Sequence, residues 1–368
     1  MPPTPKGGSE HSEQKQSFNR LTTIMSKTSN IKKHQISPPT GGDGNIKVGI
    51  IGGAGYTGGE LIRLLIHHPD TSVSFIHSRS NAGHAVHSVH QDLIGEIEME
   101  FTDKLNEDVD VLFLCVGHGE AKKFLKENKI TSHTRVIDLS QDFRLNMQST
   151  ISDRQFVYGL PELYRDQIRS ARNIANPGCF ATAIELGLLP LAKAQLLQNV
   201  YTTGITGSTG AGQTLATTSH FSWRANNIQA YKTLTHQHLF EIKESLEQLQ
   251  PGSTINVHFV PWRGDFTRGI FISSQIDSDI SFEEVTRLYE QYYADHSFTH
   301  LSPDAISLKQ VVNTNKCIIQ IEKVGGNLVI HSAMDNLLKG ASGQAVQNMN
   351  LMFSIDECAG LRLKAIGF

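Results

Sequence analysis

The sequence predicts an α/β protein, a doubly wound parallel sheet followed by a second α+β domain. Three observations carry this expectation. At 368 residues and 39% apolar content the chain is long enough to bury two cores rather than one. From Ile46 onward strand-like runs alternate with helical spacing, beginning at a glycine-rich turn. Beyond residue 250 the strand runs lengthen, as a more antiparallel sheet requires.

Charge and composition narrow the partners. Lys and Arg number 33 against 36 Asp and Glu. The chain therefore lacks the basic footprint of a nucleic-acid binder, which points to a small-molecule substrate. No apolar run approaches the ~20 residues that cross a bilayer, and the start lacks the apolar segment of a secretory signal. A cytoplasmic protein without membrane contact is expected. Cys115, Cys179, Cys317 and Cys358 are far apart and form no C-x-x-C pair. That argues against both a disulfide framework and a metal site.

Residues 1–45 are rich in Ser, Thr, Lys, Pro and Gly and read as a disordered tail, with Met25 as an alternative start. Ile46-Lys47-Val48-Gly49-Ile50-Ile51 is a buried-strand run, and Glu60 to Leu65 has helical spacing. Further strands are expected at Val73–His77, Val109–Leu114 and Val136–Leu139. A long helix should run from Ala181 to about Leu197, with strands at Ile255–Val260, Gly269–Ser273 and Cys317–Ile321. The segment from Asp335 to about Phe353 is again helical and should return to the first domain. The expected division is 46–178 plus 337–368 for a nucleotide-binding domain and 179–336 for a catalytic and oligomerisation domain.

Gly53-Ala54-Gly55-Tyr56-Thr57-Gly58 has the G-x-G-x-x-G spacing, follows a strand and opens a helix. That context makes it a dinucleotide fingerprint, because only glycines let a pyrophosphate approach the N–H groups at the positive helix end. An NAD site usually places an acidic residue at the end of the second strand, where this chain reads His77-Ser78-Arg79-Ser80. Ser78 and Arg79 suit a 2′-phosphate instead, so NADP is expected.

Asn176-Pro177-Gly178-Cys179 places a cysteine where a loop turns into a helix. Backbone N–H groups and the positive helix end favour a thiolate there, as a nucleophile requires. Thiol chemistry on a carbonyl also needs a proton carrier, and His236 and His238 are the candidates. Arg144, in Asp138-Leu139-Ser140-Gln141-Asp142-Phe143-Arg144, offers a cation for an anionic leaving group or an ion pair with Asp138 or Asp142.

Together these segments resemble the N-acetyl-gamma-glutamyl-phosphate reductase family, which is related to the aspartate-semialdehyde dehydrogenases. The likeness extends through Tyr158-Gly159-Leu160-Pro161-Glu162, Gly207-Ser208-Thr209-Gly210-Ala211-Gly212, His236-Gln237-His238 and Asp335 to Gln344. It implies a Rossmann domain with an α+β domain of the semialdehyde-dehydrogenase type, assembled as a homodimer or homotetramer. It further implies NADPH-dependent reduction of an N-acylated glutamyl phosphate in arginine biosynthesis. Cys179 is then the nucleophile, and His236 or His238 the acid–base residue. Gly210, Gly212 and Asn336 join the cofactor site, and Arg144, Asn176 and Glu162 the substrate site. Two departures stand out: Gln213 follows the glycine loop where the family commonly has a basic residue, and Val260 to Asp265 differs from the family's usual stretch. Arg224 or Arg263 would suit the extra carboxylate of a succinyl analogue; an aminoadipyl phosphate of lysine synthesis on a carrier protein is a further variant, which would call for a basic docking patch that the sequence does not concentrate anywhere. A rival fold relative that uses a Tyr-x-x-x-Lys pair is disfavoured, because no tyrosine here has lysine four residues later. A non-catalytic NADP-sensing protein is the rival from another class.

Overall fold

The computed structural model describes residues 45–367. The expected tail lies outside the described residues apart from Asn45.

The first sheet has six strands, β1 (Ile46–Ile51), β2 (Thr71–His77), β3 (Val111–Leu114), β4 (Arg135–Asp138), β5 (Val157–Tyr158) and β6 (Asn173–Ala175). They lie in the order β2-β1-β3-β4-β6-β5, and every pairing is parallel. Strands β1 and β3 are almost wholly buried, which is why they read as continuous apolar runs rather than alternating ones. Helices α1 (Tyr56–Leu65), α2 (Glu120–Glu127) and α3 (Pro161–Ser170) connect them.

Helix α4 (Cys179–Lys193) leads into the second sheet and is buried from Phe180 to Ala192. It ends four residues before the expected Leu197, where Gln195 takes a left-handed φ of +62°. Seven strands follow: β7 (Asn199–Thr206), β8 (Gln229–Ala230), β9 (Asn256–Arg263), β10 (Ile270–Asp277), β11 (Thr299–Ser302), β12 (Cys317–Val324) and β13 (Asn327–Met334). Their order is β8-β9-β7-β10-β13-β12-β11, with two parallel pairings, β9·β7 and β12·β11, among antiparallel ones. One face packs on α4, α5 (His238–Leu249) and α6 (Phe282–Tyr293). The other is covered by Ile306 and Val311 over Phe271, Ile318 and Ala333 and is open elsewhere, with Tyr201 stacked on His258 at 4.9 Å and 54% exposed.

The chain then returns. A π-turn, Leu338–Ser342, runs into α7 (Gly343–Met352), which packs against α1 and α3 as expected. Leu338, Val346, Met349 and Met352 complete the core of the parallel sheet with Val48, Ile50 and Leu61. Each apolar side chain of this kind contributes ~1.5–3 kcal/mol on burial, so α7 is structural cement for residues about 300 positions earlier in the chain. Among the described residues no helix is long and apolar enough to cross a membrane, and no cluster of three or more His, Cys, Asp or Glu is arranged to hold a metal.

Candidate active site

The glycine turn lies between β1 and α1. Gly52, one residue before the fingerprint, has φ +79° and backs onto the Cys115 carbonyl, so it makes the tight bend. A Cβ on Gly58 would come within 2.6 Å of the Gly53 carbonyl, which fixes glycine where helix and turn meet. Helix α1 starts at Gly55 with neither a side-chain cap nor an acidic residue in its first turn. The N–H groups around Tyr56, Thr57 and Gly58 are therefore left for an outside anion. At the end of β2 Ser78 is buried and accepts from the Asn81 amide at 3.0 Å. Arg79 is exposed, with no hydrogen-bond or ion-pair partner among the described residues and no acidic residue beside it in sequence. This donor set fits a phosphorylated dinucleotide.

The loop Gly207–Gly212 is held from below by Asn336. Its carboxamide accepts from the Gly269 N–H at 2.7 Å and donates to Thr209 Oγ1 at 3.0 Å. Gly210 sits 3.8 Å from that amide by its would-be Cβ, and Gly212 has φ +75°.

Cys179 is the first residue of α4, with the Phe180 N–H directed at its sulfur. Burial nonetheless pushes the thiol up to about 11, against the pull of the Arg144 guanidinium and the backbone N–H groups. Burial outweighs the helix start, and in the free protein the thiol keeps its proton. Gly340 of the π-turn abuts it, and a Cβ there would meet the Cys179 Cβ at 2.8 Å.

Both histidines lie beside this turn. The His238 ring rests directly on Gly178, in a space a Cβ would occupy, and its Nδ1 has no partner among the described residues. The His236 ring is 4.6 Å from it, and its Nδ1 accepts from the His238 backbone N–H at 3.2 Å. Burial first, then the positive charge of Arg144, pushes His238 well below the usual histidine range. Burial and His238 push His236 down to about 3. Both rings are neutral.

Arg144 is buried and ties three elements together. Its Nε donates to the Asn176 carbonyl at 2.9 Å, Nη2 to the Leu139 carbonyl at 3.0 Å and Nη1 to Glu241 Oε1 at 3.1 Å. Its ion-pair partner is thus Glu241 rather than Asp138 or Asp142. Asp138 is spent on Ser140, and Asp142 accepts from the Gly119 and Lys122 N–H groups at the start of α2. Glu241 is the hub: it also accepts from the Gly178 N–H at 2.9 Å and from the Tyr158 hydroxyl at 3.1 Å. Asn176 is held by the Ala341 carbonyl and the Asn348 amide, at 3.1 and 3.2 Å.

Glu162, expected at the substrate, is turned into the interior. Its Oε1 accepts from Lys339 Nζ at 2.8 Å and Thr299 Oγ1 at 2.9 Å, and both charges are buried. The residue does structural work there. Arg263 lies over the Tyr231 ring at 5.0 Å, and Arg224 is buried and donates to the Arg263 carbonyl at 3.3 Å. Arg224 Nε and Nη1 and Arg263 Nε have no partner among the described residues.

The comparisons with known proteins decide the family. The family model described as semialdehyde dehydrogenase, NAD binding domain, matches residues 47–171, and semialdehyde dehydrogenase, dimerisation domain, matches 179–336. The N-acetyl-gamma-glutamyl-phosphate reductase of Bacteroides fragilis is 55% identical over 325 residues, covering 88% of this chain and 100% of that one. The protein of the same name from Christiangramia forsetii is 53% identical over 321 residues, covering 87% and 99%. The chain belongs to the N-acetyl-gamma-glutamyl-phosphate reductase family. Solved structures of aspartate semialdehyde dehydrogenases share its fold. One is Vibrio cholerae enzyme II at TM-score 0.65 and 17% identity, covering 84% of this chain and 98% of that one. Another is the Candida albicans enzyme at TM-score 0.62 and 15% identity, with the same coverages.

Within this reductase fold the structure brings Cys179, His238, Arg144 and Asn176 to one turn, and the Gly53–Gly58 fingerprint and Asn336 to the loops that flank the nucleotide face. Three residues of the group were not legible beforehand: Glu241, Tyr158 and Gly340. Glu241 stands three residues after His238 on the helix it opens, so the one available signal was an i, i+3 pair.

Proposed function

We propose that the protein reduces an N-acyl-γ-glutamyl phosphate to the corresponding semialdehyde with NADPH, in two stages across a Cys179 thioester. The observation that carries the reading is the Gly178–Cys179 turn, with a cysteine at a helix start beside a neutral imidazole whose Nδ1 has no partner among the described residues and whose Nε2 lies 4.0 Å from Glu241 Oε1. Arrival of the anionic phosphate beside His238 raises its basicity, and the ring takes the Cys179 proton. The thiolate sulfur bonds to the acyl carbon, the carbon–oxygen bond to phosphate breaks, and the acyl group is left on sulfur. Bound NADPH supplies hydride. The protonated His238 stabilises the resulting oxyanion, the carbon–sulfur bond then breaks to give aldehyde, and His238 returns its proton to the departing sulfur, restoring the thiol and the neutral ring, while the released phosphate takes its proton from solvent. Arg144, Asn176 and Glu241 hold the turn, while Ser78 and Arg79 favour NADPH over NADH.

The relatives' names favour the acetyl substrate and a place in arginine synthesis. The unpaired guanidinium nitrogens of Arg224 and Arg263 favour a second reading in which the acyl group carries a carboxylate. We assign 46–178 plus 337–368 to the nucleotide domain and 179–336 to the catalytic one, following sheet membership. The open face of the second sheet supports a homodimer.

Oxidation of N-acetylglutamate semialdehyde by NADP, followed by absorbance beside the N-succinyl analogue, tests the reading. Reduction of NADP that requires inorganic phosphate is expected. In Cys179→Ser, turnover should fall at least about a thousandfold while NADPH binding by fluorescence is kept. Phosphate-independent turnover, or wild-type rates in that variant, would rule the mechanism out.

A further inference from the structure

Glu185 lies in α4, about 9 Å along the helix axis from Cys179, and is fully buried. Among the described residues no cation pairs with it. Its carboxyl faces the Tyr158 hydroxyl at 3.1 and 3.3 Å and Ser245 on α5. The same Tyr158 hydroxyl faces Glu241 Oε2 at 3.1 Å. A hydroxyl has one proton to give, and here two buried carboxyls lie against it; Ser245 can serve Glu185 from its other side but supplies no proton to the Tyr158 contact. Glu241 already holds the Arg144 guanidinium and the Gly178 N–H, so the negative charge belongs there. The missing proton has one place left to be.

We infer that Glu185 is held as the neutral acid and is a positioning residue for the reaction. It donates to Tyr158, Tyr158 donates to Glu241, and Glu241 fixes the N–H of Gly178, the residue before the nucleophile. Burial, reinforced by the Glu241 charge, pushes the Glu185 carboxyl up to about 8, while Ser245, Tyr158 and Arg144 pull the other way. Tyr164 of α3 is the remaining titratable group facing it. Above that range a second negative charge forms across a single hydroxyl. Tyr158 turns towards Glu185, and the Gly178 anchor loosens.

Two measurements on the full chain test this. In infrared difference spectra of wild type against Glu185→Gln at pH 7, the wild type should show a protonated-carboxyl band that the variant lacks. In the wild type alone that band should disappear near pH 8. In the pH profile of kcat, the wild type should lose activity through one ionisation near pH 8 with KM for NADPH unchanged. Glu185→Gln, whose amide still donates to Tyr158, should lack that alkaline limb. Tyr158→Phe should lower kcat at every pH, and by more than Glu185→Gln does. Absence of the wild-type band, or an unchanged alkaline limb in Glu185→Gln, overturns the inference. The inference rests on the proposed function for its kinetic arm only; without acyl-phosphate turnover that reading fails, and the infrared arm still decides on Glu185.

Discussion

Gly340 touches the cysteine through the atom it does not have. The space for a methyl is already taken by the Cys179 Cβ at 2.8 Å and the Asp335 carbonyl at 3.3 Å. Neither neighbour has slack, since Cys179 opens a buried helix, and the Asp335 carbonyl accepts from the Gly340 N–H at 2.9 Å while its side chain accepts from the Leu337 and Leu338 N–H groups. Gly340→Ala should therefore displace Cys179, the proposed nucleophile, rather than unfold the chain. We expect kcat to fall at least about tenfold, roughly 1.4 kcal/mol in the barrier, with KM for NADPH unchanged in steady-state kinetics. Glycine in Leu338-Lys339-Gly340-Ala341-Ser342 reads in sequence as a helix breaker; contact with residue 179 is invisible until the π-turn brings the two together. Cys179 was legible for the opposite reason, because its signal is local: a loop residue followed by an apolar helix. Its raised thiol was not, since burial depends on every element that packs around the turn.

The elements divide in the same way. Strands β1 to β4 announce themselves because both faces are covered, so composition alone marks them. Strand β7, central to the second sheet, does not. Its buried positions include Thr202, Gly204 and Thr206, which look polar in sequence, and Thr202 satisfies its hydroxyl on Ser274 at 2.9 Å. Helix α7 misleads differently, since it is buried on every side yet carries Gln344, Gln347, Asn348 and Asn350. Each amide bonds a neighbour, Thr182, Lys339, the Gly159 carbonyl and the Ala359 carbonyl, although the oxygens of Gln344 and Asn348 have no partner among the described residues. The Lys339–Glu162 pair belongs to the same scaffold. Lys339→Met leaves Glu162 charged and unpaired, and should cost about 3–5 kcal/mol, seen as a lower midpoint in urea denaturation. Retention of the wild-type midpoint would show that the pair is dispensable.

For the molecule as a whole, the parallel sheet and its glycine turn were legible from periodicity and spacing, and the second sheet only as a tendency towards longer strands. What joins them was not, because Arg268 bridges Glu60 of α1 and Asp335 across 208 and 67 residues of sequence. The open face of the second sheet has its own consequence. Tyr201, Trp262 and Phe271 are incompletely covered there by the chain itself. For the proposed homodimer, a charge on this face, Tyr201→Asp, should shift the protein from dimer to monomer in sedimentation velocity, whereas Lys123→Ala on the exposed surface of α2 should not. A wild-type chain that sediments as a monomer would refute the assembly.

Helix α7 also sets an order of events. The core around Val48, Leu61 and Phe113 is sealed by Leu338, Val346, Met349, Met352 and Leu361. On the ribosome, nearly three hundred residues of chain must therefore emerge between the first strand and the helix that covers it. The parallel sheet waits, half-covered, through the synthesis of the whole second sheet. A nascent chain halted before Leu338 would present that apolar surface to chaperones, and the nucleotide face would form only when translation is all but finished.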